Sequence, residues 1–343
     1  MPGPRRDPRW RSGGQASRGR RRRRPPRHHA TRPSTARASK RSRRMVPPTS
    51  GYNRPMRVIR GRDAALNAVR DRGRSADDRD AERAVRDVLD DVRARGDDAV
   101  RDATLRFDGV TLDTLLATPE EIARAEAQVE NDLKQAMHVA ASRIRAYYEK
   151  QQDGGFVTTE AGATLGQLIR PIEAVGVYAP GGTAPLFSTI LMSAIPARVA
   201  GVSRLTVASP PRSDGTLPPE ILYAAHLVDA DHVLKAGGAQ AIAAMAYGTQ
   251  SLPRVDKIVG PGNRWVVAAK RLVFGEVGIE SLPGPTETLV LAGPNADAHH
   301  AASDLLAQAE HLDAQPVLVT WSEDRLDAIL EAARAALVHL PTR

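Results

Sequence analysis

Apolar residues recur at helical spacing through the stretch 56–150. Val85, Val88, Leu89 and Val92 fall on one face of a helix that Gly96 would end. The predicted helices of this stretch are Ser75–Arg95, a short one capped by Asp97 and reaching Leu105, and a long one from the Thr118 capping box to Lys150. The pattern indicates packing and subunit contact, and no chemistry is assigned to it.

From Ile169 onward, short apolar runs alternate with helical patterns. The predicted strands are 175–178, 205–208, 232–235, 257–259, 288–292 and 316–320. The predicted helices cover 185–199 and 296–310, with others beginning at Pro219, Gln240, Asn263 and Ser322. This βαβ rhythm is typical of a parallel sheet and predicts an α/β fold.

Four glycine-rich loops stand next to these strands. They are Val175–Pro185, Ala236–Gln240, Val259–Asn263 and Pro283–Glu287. In open α/β sheets, ligands bind outside the carboxyl ends of the strands, where glycine lets the backbone approach a ligand closely. Because the loops also carry Tyr178, Gln240, Asn263 and Thr286, they predict one binding crevice.

The loops match no standard nucleotide fingerprint. No G-x-G-x-x-G follows a strand, and neither a P-loop nor an H-E-x-x-H motif is present. An anionic or nucleotide ligand at helix N-termini and ordinary turn glycines of an α/β protein therefore both stay open.

The strong positive charge of the chain belongs to one end. Residues 1–45 hold 17 of the 49 Lys and Arg and one of the 40 acidic residues, so residues 46–343 carry a net charge of −7. The composition of 1–55 predicts a disordered basic tail. A nucleic-acid tail, a transit peptide and a mis-assigned translation start are the alternatives. We favour a start at Met45 or Met56 and expect no nucleic-acid partner.

Composition narrows the chemistry further. The 343 residues include no cysteine, which excludes disulfides, thiolate metal ligands and a thiohemiacetal route for an oxidation. No apolar run approaches the roughly 20 residues of a membrane span, so we expect no membrane partner and a cytoplasmic protein.

Gln308 and His311 stand three residues apart in a predicted helix, which puts them on one face. Imidazole is a good zinc ligand and an amide oxygen a rarer one, but tetrahedral zinc needs four ligands. The alternative is a histidine that closes a helix C-terminus, where a cation is favoured, and from the residues alone this is the better explanation.

Several long motifs, in order, resemble those of the histidinol dehydrogenase family over about residues 56–343. They are Arg170–Leu186, Gly237–Ala244, Gly260–Asn263 and Gln308–His311. The resemblance implies a zinc-dependent oxidation of L-histidinol through L-histidinal to L-histidine with two NAD⁺, in a homodimer. It implies NAD contacts at Tyr178, Gln240 and Asn263, substrate contacts at Thr286, Gln308 and His311, and zinc ligands at Gln308 and His311.

The chain departs from the family pattern in two places. Thr286 stands where the family usually has serine, which keeps the hydroxyl and adds a methyl group, so a related dehydrogenase of another alcohol stays open. The family's glutamate–histidine base and its remaining zinc ligands would lie beyond Arg343. We therefore expect a C-terminally truncated member with no catalytic base of its own, impaired in turnover or binding NAD without turnover.

The resemblance also divides the chain. We predict two Rossmann-like parallel-sheet domains, one inserted in the other, with a helical N-terminal part. The boundaries are 1–55 for the tail, 56–175 for the helical part and the start of the first domain, 176–282 for the inserted NAD-side domain, and 283–343 for the incomplete return to the first domain.

Overall fold

The computed structural model describes residues 57–70, 76–181, 185–282, 287–309 and 315–339. Eleven α-helices lie in these ranges: α1 (Arg62–Arg70), α2 (Ala76–Arg95), α3 (Asp97–Asp108), α4 (Pro119–Gln128), α5 (Asn131–Tyr148), α6 (Phe187–Val199), α7 (Pro219–Leu227), α8 (Gly238–Tyr247), α9 (Arg264–Val273), α10 (Ala298–Ala309) and α11 (Glu323–Leu337). The described strands are β1 (Phe156–Glu160), β2 (Ala163–Gln167), β3 (Ala174–Tyr178), β4 (Arg204–Ser209), β5 (His232–Lys235), β6 (Lys257–Val259), β7 (Gly278–Ile279), β8 (Glu287–Ala292) and β9 (Gln315–Thr320).

Five parallel strands form the main sheet in the order β5-β4-β3-β6-β7. Helices cover both faces, as parallel sheets require. Because side chains alternate along a strand, Val175 and Val177 of β3 pack with α4, α5, α6 and α7, whereas Ala174 and Tyr178 pack with α2, α3, α8 and α9. The predicted α/β class with parallel sheets and a helical N-terminal part is confirmed.

A second parallel pair, β8 and β9, lies later in the chain and packs its Val290 and Ala292 side against α10 and α11. An antiparallel hairpin of β1 and β2 precedes the main sheet. Within the described residues, no helix is both long and apolar enough to cross a bilayer. The division of the chain into nested domains stays a prediction, and the tail lies outside the described residues.

The structure corrects two helix predictions. The long helix expected from Thr118 to Lys150 is two helices, because Val129 and Glu130 adopt extended backbone between α4 and α5. Asp97 does not cap α3. Gly96 holds the N-cap position, and the Asp97 carboxylate instead accepts hydrogen bonds from the backbone and hydroxyl of Ser251.

Candidate functional site

The order of the main sheet reverses between β3 and β6, the first and fourth of its strands along the chain. In open α/β sheets, ligands bind in the crevice outside the carboxyl ends of the strands at such a switch point. Tyr178 is the last residue of β3, and Gly260 directly follows β6. The first and third glycine loops therefore flank this crevice.

Tyr178 is buried at the carboxyl end of β3, and its hydroxyl oxygen accepts a hydrogen bond from the backbone N–H of Gly238 at 3.2 Å. Gly238 is the first residue of α8, so the helix N-terminus points at the tyrosine. Burial raises the pKa of Tyr178 to about 12, although the Gly238 bond opposes the shift. The phenol is therefore protonated at neutral pH and can donate to a ligand.

Gln240 lies in the first turn of α8 and is 1% exposed. Its Nε2 donates to Oδ2 of Asp108 at 3.2 Å, across from the end of α3. Asp108 as a whole is exposed to solvent. Its carboxyl group is nevertheless partly desolvated by the surrounding protein, which raises the pKa of Asp108 to about 6. Asp108 thus orients the Gln240 amide, with the carbonyl oxygen left for another donor.

Asn263 is the N-cap of α9, and its Oδ1 accepts hydrogen bonds from the backbone N–H groups of Trp265 and Val266 at 3.0 and 3.1 Å. These bonds fix the side chain and leave its amide N–H₂ group to donate. In the described structure, no hydrogen bond joins Asn263 to Tyr178 or Gln240. Tyr178 ends β3, Gln240 follows β5 and Asn263 follows β6, so the three predicted cofactor contacts lie at the carboxyl end of the sheet. Tyr178 and Gln240 are further linked, because the tyrosine accepts a hydrogen bond from Gly238 in the same turn of α8 that carries Gln240.

Gln308 lies near the end of α10, in the later β8–β9 unit. Its Oε1 accepts a hydrogen bond from the Thr288 hydroxyl at 2.7 Å, while its Nε2 is buried and has no partner among the described residues. An open hollow of about 650 Å³ adjoins it, lined in part by Asp304 and Ala307. Thr286 and His311 lie outside the described residues.

Gln308 can be tested as a zinc ligand on this geometry. Turning the amide by 180° would let Nε2 donate to Thr288 and would put the carbonyl oxygen where the unpartnered atom now lies. That oxygen could serve as a ligand, but zinc takes four, and the described residues bring no three His, Asp or Glu side chains together. The described residues therefore do not complete a zinc site.

Sequence reasoning missed Asp108, which it placed in a stretch with no chemistry. The signal available was its position at the C-terminal end of α3, where a negative charge opposes the helix dipole. An acidic residue at a helix C-terminus is not explained by the helix itself. In this structure its contact with Gln240 explains it.

The order of the main sheet and the helices on both of its faces define a doubly wound α/β protein, whose switch point lies between β3 and β6. A family model described as histidinol dehydrogenase matches residues 71–343. The chain belongs to this family, which confirms the resemblance carried by the glycine loops.

Individual relatives agree with the family match. Histidinol dehydrogenase of Deinococcus radiodurans is 52% identical over 260 residues, which are 76% of this chain and 59% of the relative. The Thermus thermophilus histidinol dehydrogenase is 50% identical over 75% of this chain and 60% of its own length. The crystal structure of histidinol dehydrogenase from Elizabethkingia anophelis matches with a TM-score of 0.70 at 40% identity, over 76% of this chain and 61% of that one. The chain thus spans about three-fifths of the length of these relatives.

Proposed function

We propose that this chain binds NAD⁺ in the crevice between β3 and β6 as part of a histidinol dehydrogenase. In that enzyme L-histidinol is oxidised through L-histidinal to L-histidine with two NAD⁺. The proposal includes a cytoplasmic homodimer, substrate contacts at Thr286, Gln308 and His311, and zinc held by Gln308 and His311. It rests on the family match together with the polar groups at the switch point.

The single observation that carries the cofactor site is the cluster of Tyr178, Gln240 and the Gly238 N–H at the carboxyl ends of β3 and β5. The cluster offers a protonated phenol, an oriented amide carbonyl and a helix N-terminus. Bound there, NAD⁺ would supply the hydride acceptor for the alcohol carbon. The phenol and the Asn263 amide would donate to the cofactor, and the Gln240 carbonyl would accept from it.

Calorimetry with NAD⁺ and the 343-residue chain tests this site. We expect saturable binding with one site per chain. Gln240→Leu should bind NAD⁺ about tenfold more weakly, because the variant loses the hydrogen bond between the Gln240 carbonyl and the cofactor. Gln250→Leu is the matched control. Gln250 also makes a part-buried hydrogen bond, in which its Oε1 accepts from the N–H of Asp97, but Gln250 is exposed and follows α8 at the amino end of the sheet.

No binding by the wild-type chain, or equal losses in the two variants, would overturn the proposal. L-histidinol-dependent NADH formation, followed with added zinc, then separates a dehydrogenase from a chain that binds NAD⁺ without turnover. NADH formation with other amino alcohols tests whether Thr286 admits a different substrate.

A further inference from the structure

Lys270 is completely buried on the apolar side of α9. Val266 and Val273, four residues before and three after it, lie on the same side and are also buried. A buried ammonium must be paired and hydrogen-bonded, because burial alone disfavours its charge. Its partners therefore show what the lysine does.

The two partners lie at the carboxyl ends of neighbouring strands, because Gly260 directly follows β6 and Glu280 directly follows β7. The Lys270 Nζ donates to the carbonyl oxygen of Gly260 at 3.0 Å and to Oε2 of Glu280 at 2.6 Å. The other carboxylate oxygen of Glu280, Oε1, accepts from the backbone N–H of Gly260 at 2.8 Å. The ion pair thus holds the N–H and the C=O of one glycine at the same time.

That glycine lies on one wall of the proposed cofactor crevice. Gly260 has φ +117°, a conformation that favours glycine, and its Cα lies against the main chain of Tyr178. The Gly260 loop, residues 260–263, runs from this point to Asn263, which caps the same helix that carries Lys270. Lys270 and Glu280 therefore fix the first residue of the loop, Gly260, relative to both β3 and α9.

The pair joins the fully buried Lys270 to a Glu280 side chain that is 31% exposed. A lysine buried in an ion pair is weak evidence for stability, since apolar side chains of similar size often stabilise a fold as well. An apolar pair could not hold two peptide groups. We propose that Lys270 and Glu280 are positioning residues for NAD⁺ binding, which fix the Gly260 loop so that Asn263 faces the cofactor. This inference rests on the proposed function.

Three variants of the full chain test it. Glu280→Gln keeps the shape of the side chain but can no longer accept from both Lys270 and Gly260, and it leaves the lysine without a counter-charge. Lys270→Met/Glu280→Gln removes that charge and restores a neutral interior. Asp97→Asn is the control, because the Asp97 carboxylate also holds a loop, through Ser251, but it is buried and lies at the amino end of the sheet.

We expect Glu280→Gln to lower the melting temperature and to weaken NAD⁺ binding by about tenfold, the loss of one charge-assisted hydrogen bond. The double variant should regain thermal stability and still bind weakly. Asp97→Asn should lower the melting temperature and leave the dissociation constant unchanged. In hydrogen exchange, the Gly260 amide should exchange at least about tenfold faster in Glu280→Gln than in wild type.

A double variant that regains both stability and affinity would overturn the inference, because the pair would then be merely structural. Unchanged exchange at Gly260 would overturn it as well. If the wild-type chain does not bind NAD⁺, the proposed function fails, and the exchange of the Gly260 amide still decides whether the pair holds the loop.

Discussion

Gly260 lies against the carbonyl group of Tyr178, so the loop after β6 touches the end of β3 at the switch point of the sheet. A Cβ added at Gly260 would overlap the Tyr178 carbonyl oxygen. The backbone there has φ +117°, which L side chains rarely adopt. The close approach and the backbone conformation both require glycine.

Gly260→Ala should therefore lower the free energy of unfolding by about 3 kcal/mol or more, from backbone strain and overlap together. Gly275→Ala is the control, since Gly275 has φ +103° but a Cβ there meets nothing within 4 Å. Gly275→Ala should lower the free energy of unfolding only by the backbone strain, about 1–2 kcal/mol. Urea unfolding measures both, and equal losses would contradict the close approach of the two loops.

The Asp108 carboxyl should make stability depend on pH in an unusual direction. Its pKa is raised to about 6, so between about pH 4 and 6 the folded chain binds more protons than the unfolded chain, whose Asp has a pKa near 3.9. The stability contributed by this group therefore falls as the pH rises through that window.

Asp108→Asn removes this dependence. The free energy of unfolding of the variant minus that of wild type should become more positive as the pH rises from 4.5 to 7, measured by urea unfolding at each pH. A difference that stays constant with pH would show that the Asp108 carboxyl is not desolvated in the folded chain.

Thr288 should stabilise the chain through Gln308. Thr288→Val removes the hydroxyl and leaves the half-buried Gln308 amide without its described hydrogen bond. We expect a loss of about 1–2 kcal/mol in the free energy of unfolding, and Thr288→Ser, which keeps the hydroxyl, should lose less. A valine variant as stable as the serine variant would argue that the hydroxyl does not hold Gln308.

The alternating elements from β3 onward, apart from the two-residue strand β7, were predictable because each carries a strong local signal. Asn263 and Ser322 cap α9 and α11, as their positions before apolar periodic runs indicate. The Thr118 capping box forms both of its hydrogen bonds, at 3.2 and 2.7 Å. Local chemistry decides these boundaries, so the sequence suffices for them.

The break between α4 and α5 could not be predicted in the same way. Val129, Leu133 and Met137 keep helical spacing across it, so the periodicity continues where the backbone does not. Val129 is buried with α6 and α7, and this tertiary packing outweighs the local pattern. The β1–β2 hairpin was missed for the opposite reason, because both strands are exposed throughout and show no buried face.

In the candidate site, the sequence motifs identified Tyr178, Gln240 and Asn263, but not the groups that orient them. Asp108 and Gln240 are 132 residues apart, and only the packing of α3 beside α8 brings them together. Lys270 and Glu280 are ten residues apart, yet their shared hold on Gly260 depends on the turn from α9 into β7. Such contacts follow from the tertiary structure, so the sequence does not show which residue each of these side chains meets.

A crystal structure of the chain with NAD⁺ tests the central claim most directly. We predict that the cofactor lies between β3 and β6, in contact with Tyr178, Gln240 and Asn263, and that the Lys270–Glu280 pair still holds Gly260. A cofactor bound elsewhere on the chain, or one that leaves these three side chains untouched, would contradict the claim.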